Sequence, residues 1–527
     1  MSKYSHEIQR RRTFAIISHP DAGKTTITEQ LLLLGGVIQE AGEVKGKKGA
    51  KAAKSDWMKM EQERGVSISS SVMQFDYNGL RINWLDTPGH KDFGEDTYRT
   101  LHATDCAAML IDAAKGVESQ TRKLYEVCRL RKMPIFTFAN KMDREGKSPL
   151  DLIDDVENTL HMACYPVTWP IGMGDRFKGL YHRLKKKFYA FEKGTRGMAK
   201  VLDVAGPDDA ILRDFVEADL HAQFLEELEL LEGILPPLDT ADFLSGKMTF
   251  MTFGSAKHNW GVDLFLDLFT QYAPPPQGRK LDTGEITPED PAFSGFIFKI
   301  QANMDKRHRD RIAYIRVCSG RFERGMKVKH MRLGRELRLN YANQLMGQER
   351  NTVEEAFAGD IVGINDTGNF KIGDTVTAGV DVVFRDIPRF SPEHFARISV
   401  GDALKRKQLE KGLQQLVDEG TIQKFYDPAV GWQLPILGVV GILQFEVLLY
   451  RLEDEYGVKG KMEMLPYKVA RWLTDLEGRP HREKLKGVAT VLHDADDLPV
   501  LLCDAEWALQ SLEKQNPEVI FHFTSQG

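Results

Sequence analysis

The chain has 527 residues, of which 42% are hydrophobic and 28% are charged, and its formal net charge is −5. This length exceeds one ordinary domain, and three or four domains would be typical. The slightly acidic balance excludes a global attraction to nucleic acid, so a polyanionic partner must meet local basic patches.

The five cysteines lie far apart without a CxxC pair, which indicates free thiols in a reducing compartment and disfavours a disulfide framework or a zinc ribbon. No apolar run follows the basic start MSKYSHEIQRRRTF, and the longest apolar runs, such as residues 107–111, have the length of strands. We therefore expect a cytoplasmic protein that does not contact membrane.

Short apolar runs alternate with helical patterns in the first half of the chain. The predicted strands are TFAIIS (13–18), INWLD (82–86), AAMLID (107–112) and PIFTFAN (134–140). Helix-like stretches such as KTTITEQLLLL and SQTRKLYEVCRLRK lie between them. This alternation predicts an α/β domain with a mainly parallel sheet, whose carboxyl edge is where such sheets bind ligands.

SHPDAGKTT (18–26) lies between the first predicted strand and a helix, with the spacing of a P-loop. Successive N–H groups from Asp21 to Thr26 can surround a polyphosphate, Lys24 can reach its outer phosphates, and Thr25 offers Mg²⁺ a hydroxyl. The alternative is a capped helix start, which the strand-loop-helix context disfavours. The residues assigned to this phosphate site are Ser18, His19, Pro20, Asp21, Ala22, Gly23, Lys24, Thr25 and Thr26.

LDTPGHKDF (85–93) follows the second predicted strand. Asp86 can hold Mg²⁺ through a water, and Gly89 has no side chain to block its N–H from the γ-phosphate. The assigned residues here are Asp86, Thr87, Pro88 and Gly89.

NKMD (140–143) ends the strand PIFTF and favours GTP over ATP. Asp143 can accept from the ring N1–H and exocyclic amine of guanine, while Asn140 braces the loop and the stem of Lys141 lies over the base. The alternative is a helix N-cap at Asp143. GSAK (254–257) fits a loop whose backbone N–H meets the guanine oxygen. The assigned base-site residues are Asn140, Lys141, Met142, Asp143, Ser255, Ala256 and Lys257.

Residues from about 150 to 245 have an acid-rich helical pattern and look inserted, because the strand-like TFMTFGSA (249–256) resumes the earlier alternation. Within this region, RLKKKF (183–188) is interpreted as a solvated helix face. The proline-rich segment 271–280 is a linker by composition. Short strands with glycine turns then predict an antiparallel β-barrel, and mixed strands and helices follow residue 387.

The motifs together resemble those of the translational GTPases, the group that contains elongation factor G. The class II peptide-chain release factors of bacteria are the more specific match, and nearly the whole chain takes part. The stretches that carry it are GKKGAKAAKSDWMKMEQERGVSISSSVMQFDY (46–77), LDTPGHKDFGEDTYRTL (85–101), FKIQANMDKRHRDRIAYIRVCSG (298–320) and VGILQFEVLLYRLEDEYGV (440–458).

The resemblance implies an α/β P-loop GTPase domain with an inserted helical-rich subdomain, an antiparallel β-barrel domain and a C-terminal α+β domain. We expect them at residues 1–280 (insertion about 150–245), 281–386 and 387–527. The implied cofactors are GTP or GDP and Mg²⁺. The implied activity is that of a ribosome-stimulated GTPase, whose GTP form helps to remove class I release factors from the ribosome after peptide release and which leaves after hydrolysis. The expected partners are ribosomal RNA and proteins, with neither DNA nor membrane, and the chain is expected to be a monomer.

Ser67 stands where family members often have threonine in the first switch, and its hydroxyl could meet Mg²⁺ in the GTP state. The metal residues implied are thus Thr25, Ser67 and Asp86. Residues 42–56 carry five lysines against two acids, which suits ribosomal RNA unless the segment is only a solvated loop.

His90 is the candidate catalytic residue. It occupies the place where many small GTPases have a water-orienting glutamine, and we expect it to orient the attacking water when the ribosome presses it inward. The alternative is a packing role. Two other functions stay open: another translational GTPase, such as an elongation-factor relative or a ribosome-protection factor, and a GTP-binding scaffold that does not hydrolyse. The intact DTPGH disfavours the scaffold.

Overall fold

The computed structural model describes residues 3–36, 70–191, 200–235, 237–282, 284–302, 311–340, 342–346, 349–385, 387, 389–487 and 490–525. Within these ranges the α-helices are α1 (Ser5–Gln9), α2 (Lys24–Leu34), α3 (Gly94–His102), α4 (Ser119–Leu130), α5 (Pro149–Leu160), α6 (Ala210–Phe215), α7 (Ala218–Ile234), α8 (Thr240–Leu244), α9 (Val262–Tyr272), α10 (Arg406–Asp418), α11 (Leu443–Tyr456) and α12 (Glu506–Gln515).

The strands of the first half are β1 (Arg11–Ser18), β2 (Ser71–Tyr77), β3 (Leu80–Asp86), β4 (Cys106–Asp112), β5 (Ile135–Asn140), β6 (Ala163–Pro166), β7 (Thr168–Ile171), β8 (Gly179–His182), β9 (Lys187–Ala190), β10 (Lys200–Asp203) and β11 (Met248–Phe253). The central sheet has the order β2-β3-β1-β4-β5-β11-β6. β2 is antiparallel to β3, and the other pairs are parallel. The four strands predicted from the sequence are confirmed.

Both faces of the central sheet are covered, which explains why its strands are almost continuously apolar. One face carries the core that includes Met109, Leu124 and Val156, and the other carries the core that includes Phe136, Phe250 and Phe269. Because β11 pairs with β5, the expected return of the chain to the main sheet after the insertion is confirmed.

The region expected to be helical contains a sheet as well as helices. β10-β9-β8-β7 form an antiparallel sheet, and α6, α7 and α8 follow it. The interpretation of RLKKKF as a helix face is wrong. Residues 183–186 form the turn between β8 and β9, and Lys186 adopts a left-handed conformation with φ 52°. A two-stranded hairpin with a charged turn is hard to separate from a short charged helix by composition alone.

The second domain is built from β12 (Arg279–Leu281), β13 (Gly284–Ile286), β14 (Phe293–Ala302), β15 (Arg311–Ser319), β16 (Arg321–Glu323), β17 (Lys327–His330), β18 (Arg335–Arg338), β19 (Ala342–Met346), β20 (Glu349–Thr352), β21 (Glu355–Phe357), β22 (Ile361–Asn365) and β23 (Thr375–Ala378). Its largest sheet has the order β18-β17-β23-β14-β15-β22-β19-β20, with antiparallel pairs around one apolar core. The expected antiparallel β-rich domain is confirmed.

The C-terminal domain combines α10, α11 and α12 with β24 (His394–Val400), β25 (Gln423–Asp427), β26 (Gly431–Val439), β27 (Gly460–Leu465), β28 (Val469–Asp475), β29 (Leu492–His493), β30 (Pro499–Cys503) and β31 (Val519–His522). The strand order is β27-β24-β26-β25-β29-β30-β28-β31. α10 and α11 cover β24 and β26, and α12 packs on β30 and β31. This is the α+β arrangement expected from the sequence.

Buried ionic contacts join the first two domains. Arg11 Nε donates to Asp360 Oδ2 at 3.0 Å, and Arg316 Nη2 donates to Asp105 Oδ2 at 2.5 Å. Because a buried charge is costly without its partner, these pairs fix the position of the second domain. All five cysteines are free and buried. Across the described residues, no helix is both long and apolar enough to span a membrane.

Candidate nucleotide site

Three loops predicted to bind a nucleotide meet at the carboxyl edge of the central sheet. We call them the phosphate loop (18–26), the NKMD loop (140–143) and the SAK loop (255–257). They follow β1, β5 and β11, and these strands lie in the continuous order β1-β4-β5-β11. The loops are far apart in the sequence, and the parallel sheet brings them together because it aligns the ends of its strands.

Within the phosphate loop, Gly23 directly precedes helix α2, and its φ of 103° lies in the left-handed region. The helix has no side-chain cap, so its first N–H groups are left for an anion. A Cβ at Gly23 would lie 2.2 Å from Asn140 Nδ2, so only glycine allows this approach. Within the described residues, Ser18 Oγ and His19 Nδ1 are buried without a hydrogen-bond partner. Such orphaned groups fit a polar ligand.

Asn140 connects all three loops through one buried side chain, which is 2% exposed. Its Nδ2 donates to Ala22 O at 2.8 Å, and its Oδ1 accepts from Ala256 N at 2.8 Å. The bracing role expected for this amide therefore extends to the phosphate loop. A displacement of one loop is therefore transmitted to the other two through the Asn140 side chain.

Lys141 extends across the edge of the site. Its Nζ donates to Asp21 O at 2.6 Å and to Asp112 Oδ2 at 2.7 Å. Burial raises the pKa of Asp112, but the bonds from Lys141 and from the Ala114 N–H outweigh it, so the pKa lies below its usual value. Sequence reasoning missed Asp112. The feature that could have revealed Asp112 is an acid at the end of a buried strand, the same position that Asp86 has on β3.

Asp143 is held in place for a ligand by its neighbours. Ser255 Oγ donates to Asp143 Oδ1 at 2.6 Å, and His258 Nε2 lies 3.7 Å from Oδ2. Met142 is fully buried and its N–H donates to Gly254 O at 3.0 Å, which ties the NKMD loop to β11. Lys257 is exposed at the rim.

Two of the proposed metal residues, Thr25 and Asp86, lie in and next to the phosphate loop. Lys24 Nζ contacts Asp86 Oδ1 at 2.6 Å, and Asp86 is 2% exposed. Thr25 is the second residue of α2, directly after Lys24. In the described ranges no cluster of three His, Cys, Asp or Glu side chains could hold an ion by itself. A carboxylate and a hydroxyl are the hard oxygen donors that Mg²⁺ takes together with nucleotide phosphates, so these residues fit it.

The segment after Asp86 lies against the phosphate loop. Thr87 Oγ1 donates to Ile16 O at 2.5 Å, and Pro88 O accepts from Thr97 Oγ1 at 3.2 Å. A Cβ at Gly89 would lie 3.7 Å from Pro20 Cα and 3.9 Å from Lys24 Cε, so Gly89 lies at van der Waals distance from the phosphate loop.

His90 is 32% exposed at the side chain and follows Gly89 on the same segment. Its Nδ1 lies 3.3 Å from Asp92 Oδ1 and 3.3 Å from the Asp92 N–H. Its ring centroid is 6.3 Å from that of Phe93. The ring is thus partly open to solvent.

Two predictions fall on parts of the chain outside the described residues. These are Ser67 and the lysine-rich segment 42–56. Residues 305–311 read DKRHRDR, and of these only Arg311 is described. It donates to Asp366 at 2.6 Å and to Asp418 at 2.8 Å, so it links the second and third domains.

Three family models match successive parts of the chain. They are the elongation factor Tu GTP binding domain over residues 9–275, elongation factor G domain 2 over 292–379, and the class II release factor RF3 C-terminal domain over 384–513. The third model is specific to release factors, whereas the first two describe translation factors more widely.

Full-length relatives agree with this division. The chain is 52% identical to peptide chain release factor 3 of Symbiobacterium thermophilum, over 100% of both chains. It is 50% identical to that of a Cyanothece species, over 97% of this chain and 95% of the relative. A crystal structure from Thermus thermophilus has the same fold, with a TM-score of 0.70 and 23% identity over 92% of this chain and 72% of that one.

Proposed function

The chain belongs to the peptide chain release factor 3 family of translational GTPases, and from this premise we propose that it hydrolyses GTP on the ribosome during translation termination. The observation that carries the proposal is the single amide of Asn140, which joins the phosphate loop to both base-reading loops. A guanine base and a polyphosphate would then be recognised by one connected structure.

Guanine recognition is assigned to Asp143. Its carboxylate, prepared by Ser255, would accept from the N1–H and exocyclic amine of guanine. Adenine presents no such pair of donors, so the site would select GTP or GDP. The backbone N–H of the SAK loop would meet the guanine oxygen, and the stem of Lys141 would lie over the base.

Phosphate binding is assigned to the N–H groups of the phosphate loop and to Lys24, which would exchange its bond to Asp86 for the phosphates. Thr25, Asp86 and Ser67 would hold Mg²⁺. When bound, the ion would neutralise charge on the phosphate oxygens. Phosphoryl transfer depends mainly on positioning and electrostatic stabilisation, so His90 need only orient the attacking water.

The finer function we propose is the removal of class I release factors from the ribosome after peptide release. The match of residues 384–513 to the release-factor C-terminal domain supports termination over elongation or ribosome protection. We further propose that the protein is cytoplasmic and monomeric, that it binds neither DNA nor membrane, and that its domains cover 1–280, 281–386 and 387–527. The segment 42–56 is proposed to contact ribosomal RNA.

Phosphate release tests the chemical part of the proposal. We expect slow hydrolysis of GTP by the free protein, strong stimulation by ribosomes and no hydrolysis of ATP. His90→Ala should retain GDP binding but lose most of the stimulation. Hydrolysis that ribosomes do not stimulate would contradict the proposal, and stimulation that persists in His90→Ala would assign His90 to packing.

A further inference from the structure

Helix α11 of the C-terminal domain begins without a cap from its own segment. Gly441 O accepts from Gln444 N at 3.1 Å, and the Gln444 side chain accepts from the Gly441 N–H at 3.0 Å. Gly441 therefore occupies the position of an N-cap, where an oxygen-bearing side chain would usually satisfy the next free N–H group. Glycine has no such oxygen.

The missing cap comes from the GTPase domain. Asp92 Oδ2 accepts from Leu443 N at 2.8 Å across 351 residues of sequence. A carboxylate also interacts favourably with the positive end of a helix. A Cβ at Gly441 would lie 2.2 Å from Asp92 Cβ, so the glycine makes room for this carboxylate. Asp92 is 5% exposed and is enclosed between the two domains.

The other oxygen of Asp92 faces His90. Oδ1 lies 3.3 Å from His90 Nδ1, and the Asp92 N–H donates to the same nitrogen at 3.3 Å, so Asp92 offers Nδ1 an acceptor when that nitrogen carries a proton and a donor when it does not. Among the residues that the structure describes, the His90 ring forms its polar contacts with Asp92 alone. Nδ1 is thus engaged and Nε2 is the ring nitrogen left for a water. In histidine sites generally, the partner of one ring nitrogen sets the tautomer and orientation of the other.

The surrounding contacts keep Asp92 at this junction. Phe93, the next residue, packs against Val447 of α11. Further along the chain, Arg99 Nη1 donates to Gly420 O at 3.3 Å. The segment that carries His90 is therefore seated on the C-terminal domain by apolar and polar contacts that follow Asp92.

We propose that Asp92 is a positioning residue for GTP hydrolysis, which fixes His90 through Nδ1 and is itself fixed by the first turn of helix α11. The C-terminal domain would thereby decide whether His90 presents Nε2 to the attacking water. Hydrolysis would then require that the C-terminal domain, although remote in sequence, be correctly packed against the segment that carries His90. This inference rests on the proposed GTPase function.

The test uses the full chain and measures phosphate release from GTP against ribosome concentration. Asp92→Asn keeps an oxygen for Leu443 N, but its neutral amide replaces the carboxylate oxygen that faces Nδ1, so the side chain no longer offers Nδ1 an acceptor. We expect a fall of about 10- to 100-fold in kcat, the usual effect of losing a group that orients a histidine. The ribosome concentration at half-saturation and the affinity for GDP should not change.

Two further variants separate positioning from folding. Gly441→Ala pushes on the same carboxylate from the C-terminal domain and should lower kcat in the same way, so it decides the matter if Asp92→Asn does not fold. Tyr98→Leu is the matched control, since it removes a ring contact between α3 and Phe390 at the same interface without touching Asp92. Its kcat should stay near that of the wild type.

A double-mutant cycle gives the decisive comparison, since coupled groups are not additive. In a His90→Ala background, Asp92→Asn should cause no further loss. An equal loss in both backgrounds, or an unchanged kcat in both Asp92→Asn and Gly441→Ala, would overturn the inference while leaving the GTPase function in place. If ribosomes do not stimulate GTP hydrolysis by the wild-type protein, both the proposed function and this inference are wrong.

Discussion

Asp143→Asn should change which purine nucleotide the protein binds. The carboxylate is 9% exposed and accepts from Ser255 Oγ at 2.6 Å. An amide of the same shape can keep that bond through its oxygen, so the fold should survive. Toward guanine, however, the substitution removes two bonds to a charged acceptor, each contributing about 1.5–3 kcal/mol. The expected loss is therefore about 3–6 kcal/mol, or about 10²- to 10⁴-fold in affinity for GDP.

The amide also creates a new preference, because its N–H group can donate to the carbonyl that xanthine carries in place of the guanine amine. Titration with fluorescent GDP and xanthosine diphosphate measures both affinities. Ser255→Ala is the matched control: it loses one hydrogen bond to the Asp143 carboxylate, costs about 1.5–3 kcal/mol and gains no preference for xanthine. If Asp143→Asn bound GDP as tightly as the wild type, Asp143 would not read the base.

Three other substitutions test the connections around the site. Asn140→Ala strands a buried carbonyl and a buried N–H, so it should weaken binding of GDP and xanthosine diphosphate alike, by about 1–3 kcal/mol for each group; a loss confined to one nucleotide would refute the bracing role. Arg316→Met leaves Asp105 buried and unpaired and should lower the free energy of unfolding by about 3–5 kcal/mol, measured by denaturant titration; an unchanged midpoint would contradict this. Burial, with Arg131 and Arg279 nearby, lowers the pKa of His102 to about 2. The unfolded chain binds this proton below about pH 6.5, so stability should fall by about 2 kcal/mol between pH 7 and 5, and His102→Leu should remove that part of the fall.

The phosphate loop and the base-reading motifs were predictable because each is a short pattern next to a strong strand. TFAIIS precedes the phosphate loop and PIFTF precedes NKMD, so the sequence alone placed both at one edge of a parallel sheet. Asp112 ends a strand in the same way and was still missed. Its role depends on Lys141, and a single acid after a strand does not reveal its partner.

The sheet β7–β10 was missed for a different reason. Its described strands have four residues each, too few to establish a period of two, while the acidic helices that follow give a stronger pattern. The contact between Asp92 and helix α11 was beyond sequence reasoning, since nothing in LDTPGHKDF indicates which domain lies against it. Gly441 fits this contact, because a side chain there would collide with Asp92, but the sequence alone does not show that the two segments meet.

The most direct test of a role in termination is the dwell time of a fluorescent class I release factor on ribosomes that have released their peptide. Adding this protein with GTP should shorten the dwell time, and adding the His90→Ala form with GTP should shorten it less. GDP-loaded protein provides the reference for nucleotide state. A dwell time that the wild-type protein and GTP leave unchanged, on ribosomes that do stimulate its GTPase activity, would contradict the account and favour another translational role.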